Sequence, residues 1–238
     1  MRAERADGTT GVTDVDQAPA APTAPPQRAG TNRERVSRRQ VDKFAERRAE
    51  LAGAALQTLA ELGYARTSLR EIAQKSQFSH GVLHYYFSDK QDLIIHCVRQ
   101  YEAACVTRYD EIVAAASSAG ELKRDFSTAM AQTLRTDAPM HRLWYDLRNQ
   151  SLFTESFRAD VLEIDQRREE MIWRVLSRYA ALAGISVTLP PAVAYAILDG
   201  LFQRALLHHL TGDESAAEDL RGNVLGVLDA LGGRPAGV

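Results

Sequence analysis

The sequence contains no long hydrophobic run. No apolar stretch approaches the roughly 18 residues of a membrane helix, so no membrane is expected as a partner. The N-terminus lacks the apolar core of a secretory signal, and a cytoplasmic location is expected. Cysteine is scarce, with only Cys97 and Cys105. Both fall on one predicted helix, eight residues apart. That is about 12 Å along the axis, where a disulfide needs Cα atoms within about 7 Å. They are expected as free thiols that behave as small apolar side chains. Catalytic and cofactor motifs are missing as well: no GxGxxG, GxxxxGK[ST], GxSxG or HExxH, and no Cys/His pair of catalytic character. His208 and His209 are neighbours and point about 100° apart on a helix, which suits chelation poorly. No enzyme activity, cofactor or metal is therefore expected. There is also no strand-like alternation and no internal repeat.

Net charge is small, −2, but it is unevenly spread. Residues 33–90 hold 11 Lys/Arg against 7 Asp/Glu, and residues 91–238 hold 15 against 20. A basic segment beside an acidic one fits a nucleic-acid module on a regulatory body. Residues 1–32 (with APAAPTAPPQRAG) have almost no large apolar side chains and are expected to be disordered. Arg33, Arg35, Arg38, Arg39, Lys43, Arg47 and Arg48 follow. They read either as a basic arm on DNA or as a solvated lead-in to a helix.

A first helix is predicted over 42–63, with Phe44, Leu51, Ala55, Leu59 and Leu62 at helical spacing and Gly63 as its stop. The stretch TSLREIAQKSQFSHGVLHYYFSDK, residues 67–90, organises the rest. Leu69, Ile72 and Ala73 make one apolar face of a short helix. Ser76-Gln77-Phe78 interrupts it, and Ser79 is a good N-cap for a second helix. Leu83 and Phe87 face inward there, leaving His80, Val82, His84 and Tyr85 to point outward. Two short helices joined by a tight turn are a helix-turn-helix pattern. From Asp89 a long helix is expected through Val113, then helices over 121–135, 139–152 opened by Pro139, 154–183, 190–211 and 214–231.

Thr67, Ile72-Ala73, Ser79, Gly81, Leu83, Tyr86-Phe87, Lys90 and Leu93 resemble, in order and spacing, the DNA-binding domain of the TetR family of transcriptional regulators. Gln77, where that family usually has a glycine, and His84, where it usually has a tyrosine, depart from the pattern. The resemblance implies an all-α, nine-helix fold. It divides into a tail over 1–36, a helix-turn-helix domain over 37–88, a ligand-binding and dimerisation domain over 89–232 and a flexible end over 233–238. It implies DNA contacts from Thr67, Ser79, His80, Gly81, Val82, His84, Tyr85, Tyr86 and Lys90. It implies a homodimer on a near-palindromic double-stranded operator, built on Leu201, Leu206, Leu220, Val224 and Leu228. It also implies a small-molecule effector among Phe126, Met130, Trp144, Tyr145, Arg148, Met171 and Phe202. LWYDLRNQSL with DQRREE weakly resembles the BetI branch of the family. A repressor is the expected role. An activator on the same fold and a helical ligand-binding protein with a vestigial motif are the alternatives.

Overall fold

A computed structural model describes residues 32–231, with side chains from Arg39 onward. The expected tail before residue 32 and the end over 233–238 lie outside the described residues, as do the side chains of Arg33, Arg35 and Arg38. Within the described residues the chain divides after Gln40, and the part from Val41 onward forms one compact unit. Among the described residues there are nine α-helices, one 3-10 turn and no strand. No helix there is long and apolar enough to cross a membrane.

Helix α1 spans Asn32–Leu62 and so starts well before the predicted residue 42. Its first ten residues are mostly Arg, Glu, Gln and Val, with no Gly or Pro. Several are strong helix formers, but they carry no apolar stripe to announce the helix. Gly63 ends it at φ +76, a left-handed conformation that glycine adopts without a Cβ clash. Helices α2 (Leu69–Lys75) and α3 (His80–Tyr86) follow as expected.

The long helix predicted from Asp89 is broken. Helix α4 spans Lys90–Cys105 and a separate α5 spans Asp110–Ala115. Side chains take over the carbonyls that a continuing helix would have used. Thr107 Oγ1 donates to the Ala104 carbonyl, and Arg174 donates to that of Val106. Arg108 lies over the break, donating to Asp137 at 2.6 Å.

Two predicted helices are one. Helix α6 runs Ala119–Gln150 with Pro139 inside it. Proline removes the hydrogen bond to the carbonyl four residues back, that of Arg135. Both Pro139 and Arg135 are exposed, so that carbonyl lies on the outer face of the helix, where the loss is tolerated. Helices α7 (Arg158–Ala183), α8 (Pro191–Leu210) and α9 (Ala216–Leu231) complete the chain. Gly184 stops α7 at φ +65.

One continuous apolar core runs from Leu51 to Leu231 and includes Leu83, Phe87, Leu93, Phe126, Trp144, Leu176, Phe202 and Leu228. Each such side chain contributes roughly 1.5–3 kcal/mol on burial. Across it runs a bidentate ion pair. Arg168 of α7 reaches Glu102 of α4 at 2.8 and 2.5 Å, with both side chains almost wholly buried. The guanidinium also lies 4.7 Å over the Trp144 ring. Burial alone would pull the Arg168 pKa down; the Glu102 carboxylate more than reverses this and holds it charged.

Candidate nucleic-acid interface and body cavity

Ser68, not Thr67, caps α2, its hydroxyl accepting the Glu71 N–H at 3.2 Å. Thr67 is buried and donates its hydroxyl to the Gly63 carbonyl at 2.6 Å. Its hydroxyl therefore closes a turn. Ser76 Oγ accepts the Phe78 N–H at 3.3 Å in the turn between the helices, and Phe78 tucks inward beneath the Arg47 guanidinium. This arrangement leaves Gln77 exposed at the tip. Ser79 caps α3 as expected, accepting the Val82 N–H at 3.3 Å.

With Leu83 and Phe87 fully inward, α3 presents His80, Gly81, His84 and Tyr85 outward. The His80 and His84 rings meet edge to face at 4.4 Å, and Tyr85 is 72% exposed. Nothing lies within 4 Å of a Cβ built on Gly81, so backbone is bare there. Three expected contact residues are placed otherwise. Val82 is half-buried against the core. Tyr86 is half-buried with its ring 4.8 Å from that of Phe44. Lys90 donates to the Tyr64 carbonyl at 2.7 Å and sits 4.0 Å over the Tyr64 ring. Partial burial lowers the Lys90 pKa, against Glu71 and Asp146, which raise it.

The basic run is divided in the same way. Arg48 pairs with Asp92 at 2.5 Å and lies over the Phe87 ring, and Arg47 pairs with Glu50. The Arg48 pair ties α1 to α4, and the Arg47 pair lies within α1. Arg39 and Lys43 are exposed.

Helix α6 grips the turn behind these helices. Asp146 Oδ2 accepts the Tyr64 N–H at 2.7 Å, and Arg142 donates to the carbonyls of Ala60 and Glu61. The same turns of α6 carry His141 and Tyr145, one residue earlier in each case. These two face a cavity of about 50 Å³ inside the body. Its wall is completed by Tyr109, Met130, Arg168, Met171, Ile172, Tyr195, Leu198, Asp199 and Phe202. Tyr145 donates to Asp199 at 2.8 Å, and Tyr195 donates to Asp165 at 2.9 Å. Arg148 pairs with both carboxylates, at 2.5 and 3.3 Å.

Of the seven expected effector residues, Met130, Tyr145, Met171 and Phe202 line this cavity. Phe126 and Trp144 are ordinary core, and Arg148 braces the wall from outside. Sequence reading missed Tyr109, His141, Arg168, Tyr195 and Asp199. The signal for His141 was the stripe Leu134, Ala138, His141, Tyr145, hidden by restarting the helix at Pro139.

The expected dimer residues are placed as follows. Leu206, Leu220, Val224 and Leu228 are buried within the one chain, and Leu201 is half-buried. The four buried residues fill the space where α6, α8 and α9 meet within one chain. The large apolar side chains that α8 exposes are Val193, Ile197, Leu207 and Leu210.

Residues 51–97 match the model of the bacterial regulatory proteins of the tetR family. Over 195 residues, 76% of this chain and 93% of the relative, the sequence is 29% identical to the HTH-type transcriptional regulator BetI of Burkholderia thailandensis. Two solved structures share the fold. One is a putative TetR-family regulator from a Rhodococcus species, at TM-score 0.64 and 21% identity, covering 79% of this chain and 99% of that one. The other is a regulator from Saccharomonospora viridis in complex with choline, at TM-score 0.63 and 17% identity, covering 78% and 96%. The matched segment holds capped helices α2 and α3 and the exposed face of α3, so this part of the chain is similar to the DNA-binding domain of TetR-family transcriptional regulators, and the chain as a whole resembles such regulators in sequence and fold.

Proposed function

We propose that the chain is a ligand-responsive repressor that acts in the cytoplasm as a homodimer on a near-palindromic operator. Residues 37–88 serve as the DNA-reading domain and residues 89–232 as the effector and dimerisation domain. The observation that carries the reading is the outward face of α3, where His80, Gly81, His84 and Tyr85 stand clear of the core. A single helix in a major groove reads only a few base pairs, so two copies on a two-fold site are the expected solution.

The partner surface is the outer face of α8 and α9. Val193, Ile197, Gly200, Arg204 and Leu207 recur there at four- and three-residue steps. Gly200, Gly222 and Gly226 sit inside these helices with nothing within 4 Å of a built Cβ. Each costs its helix roughly 0.5–1 kcal/mol relative to alanine and gains nothing within one chain. The close approach of a second pair of helices would account for all three.

Coupling runs through α6. His141 and Tyr145 wall the cavity while Arg142 and Asp146 hold the turn before α2. An effector that favours one position of this segment shifts the reading helices by its differential affinity for the two positions.

Selection of binding sites from random DNA, followed by mobility shifts of wild type and Tyr85→Ala, tests the reading. A two-fold site, lost or weakened about tenfold or more in the variant, supports it. Failure to select any site would favour a ligand-binding protein with a vestigial motif. A reporter activated from the selected site would replace repression by activation.

A further inference from the structure

Four buried side-chain nitrogens among the described residues have no hydrogen-bond partner: Arg48 Nε, Trp144 Nε1 and both ring nitrogens of His141. Of these three residues only His141 lines the cavity. It is 5% exposed. Four other polar groups in the wall, those of Tyr145, Asp199, Tyr195 and Arg168, are occupied. Asp199 takes Tyr145 and Arg148, the Tyr195 hydroxyl takes Asp165, and Arg168 takes Glu102. Charge is therefore matched within the wall, and a charged ligand meets no free counter-charge.

Burial beside Arg168 and Arg108 keeps the His141 imidazole neutral. A neutral imidazole offers one N–H donor and one lone pair, and which nitrogen carries the proton is open. A hydroxyl suits either case, because it accepts from the N–H or donates to the lone pair. A carboxylate could accept from the ring N–H, but its charge would go unmatched, because Arg168 is held by Glu102 and Arg108 by Asp137. A quaternary ammonium cannot donate a hydrogen bond and would share the cavity with Arg168.

We propose that the cavity binds a neutral, largely apolar molecule bearing an alcohol or phenol hydroxyl, which docks on a ring nitrogen of His141. The inference deepens the reading of the body as an effector domain and rests on it. The space of about 50 Å³ is smaller than the roughly 150 Å³ that admits benzene. Met130 and Met171, unbranched and flexible, are the side chains that swing aside to make room.

The test uses the full chain with ¹⁵N-labelled histidine and four probes: phenol, toluene, choline chloride and sodium benzoate. Calorimetry gives affinities, and the His141 ring nitrogen shifts report contact. Phenol should move those shifts and bind at least about tenfold more tightly than toluene, as one buried hydrogen bond would give. In His141→Phe the preference for phenol over toluene should vanish. Toluene binding as tightly as phenol, tighter binding of choline or benzoate, or no probe moving the His141 shifts would overturn the proposal. Operator affinity is read separately. Phenol bound at His141 with no change in operator binding would leave the ligand class standing and remove the effector role. Operator release by choline or benzoate would do the reverse.

Discussion

The carboxylate of Asp146 accepts the backbone N–H of Tyr64 at 2.7 Å, which fastens α6 to the turn that leads into α2. A Cβ added to Gly63, the residue before, would lie 3.2 Å from that same oxygen, at a positive φ that side chains rarely adopt. Asp146→Ala leaves the partly buried N–H without its acceptor and should cost about 1–3 kcal/mol. Gly63→Ala should be destabilising too, through φ and crowding together. Urea unfolding measures both. In the proposed mechanism Asp146→Ala also weakens the effect of a body ligand on operator affinity, which titration of operator with and without ligand would read.

On α3, neighbouring residues should separate cleanly into two groups. Tyr85→Ala and His84→Ala remove exposed side chains and should leave stability within about 0.5 kcal/mol while weakening operator binding. Leu83→Ala, on the inward face, should cost about 2–5 kcal/mol. Unfolding midpoints set beside mobility shifts on the same variants check this.

The buried pair gives a third prediction. Arg168→Met strands the Glu102 carboxylate in the core and should cost about 3–5 kcal/mol. Adding Glu102→Leu should recover most of that loss, since no charge is then left unpaired. A double-mutant cycle in guanidinium chloride measures the coupling.

Stability should fall on the acid side of the histidine range. Burial first, then Arg168 and Arg108, hold the His141 pKa well below its usual 6.5. The unfolded chain takes up a proton near pH 6.5, and the folded chain does so only at lower pH. Each such group therefore removes up to about 1.4 kcal/mol per pH unit below about 6.5 and nothing above it. His96, lowered by burial and by Arg48 despite Asp92, acts in the same direction. His141→Leu should make the loss between about pH 7.5 and about pH 5.5 shallower. It should also raise stability at neutral pH, because an unpaired buried polar group is removed.

The outer face of α8 provides a fifth test. If two copies meet there, Ile197→Glu should leave helix content unchanged and halve the mass measured by sedimentation. Leu228→Glu acts on the core and should unfold the chain.

The all-α class, the two capped helices of the motif and the stops at Gly63 and Gly184 were legible because each depends on a residue type at a fixed place. The inward face of α3 was legible from Leu83 and Phe87 alone. The partial burial of Val82 and Lys90 was not legible, because a half-buried position depends on which neighbour arrives, here the core and Tyr64. The burial of four expected dimer residues within their own chain was not legible for a related reason. Apolar content reports burial, and Leu206, Leu220, Val224 and Leu228 were buried by their own chain. Glu102 and Arg168 stand at apolar-stripe positions on α4 and α7, yet only the fold shows that they meet.

Pro139 gives α6 a directional joint. Upstream of it the helix is continuous through the stripe of Phe126, Met130 and Leu134; downstream it carries the cavity wall and the grip on Tyr64. With no N–H at residue 139, the rod can flex there without a hydrogen bond having to break. In the proposed mechanism, bending is cheapest immediately before the turns that carry His141 and Tyr145, so a ligand's push on them would go into moving Arg142 and Asp146 rather than into deforming the bundle behind them.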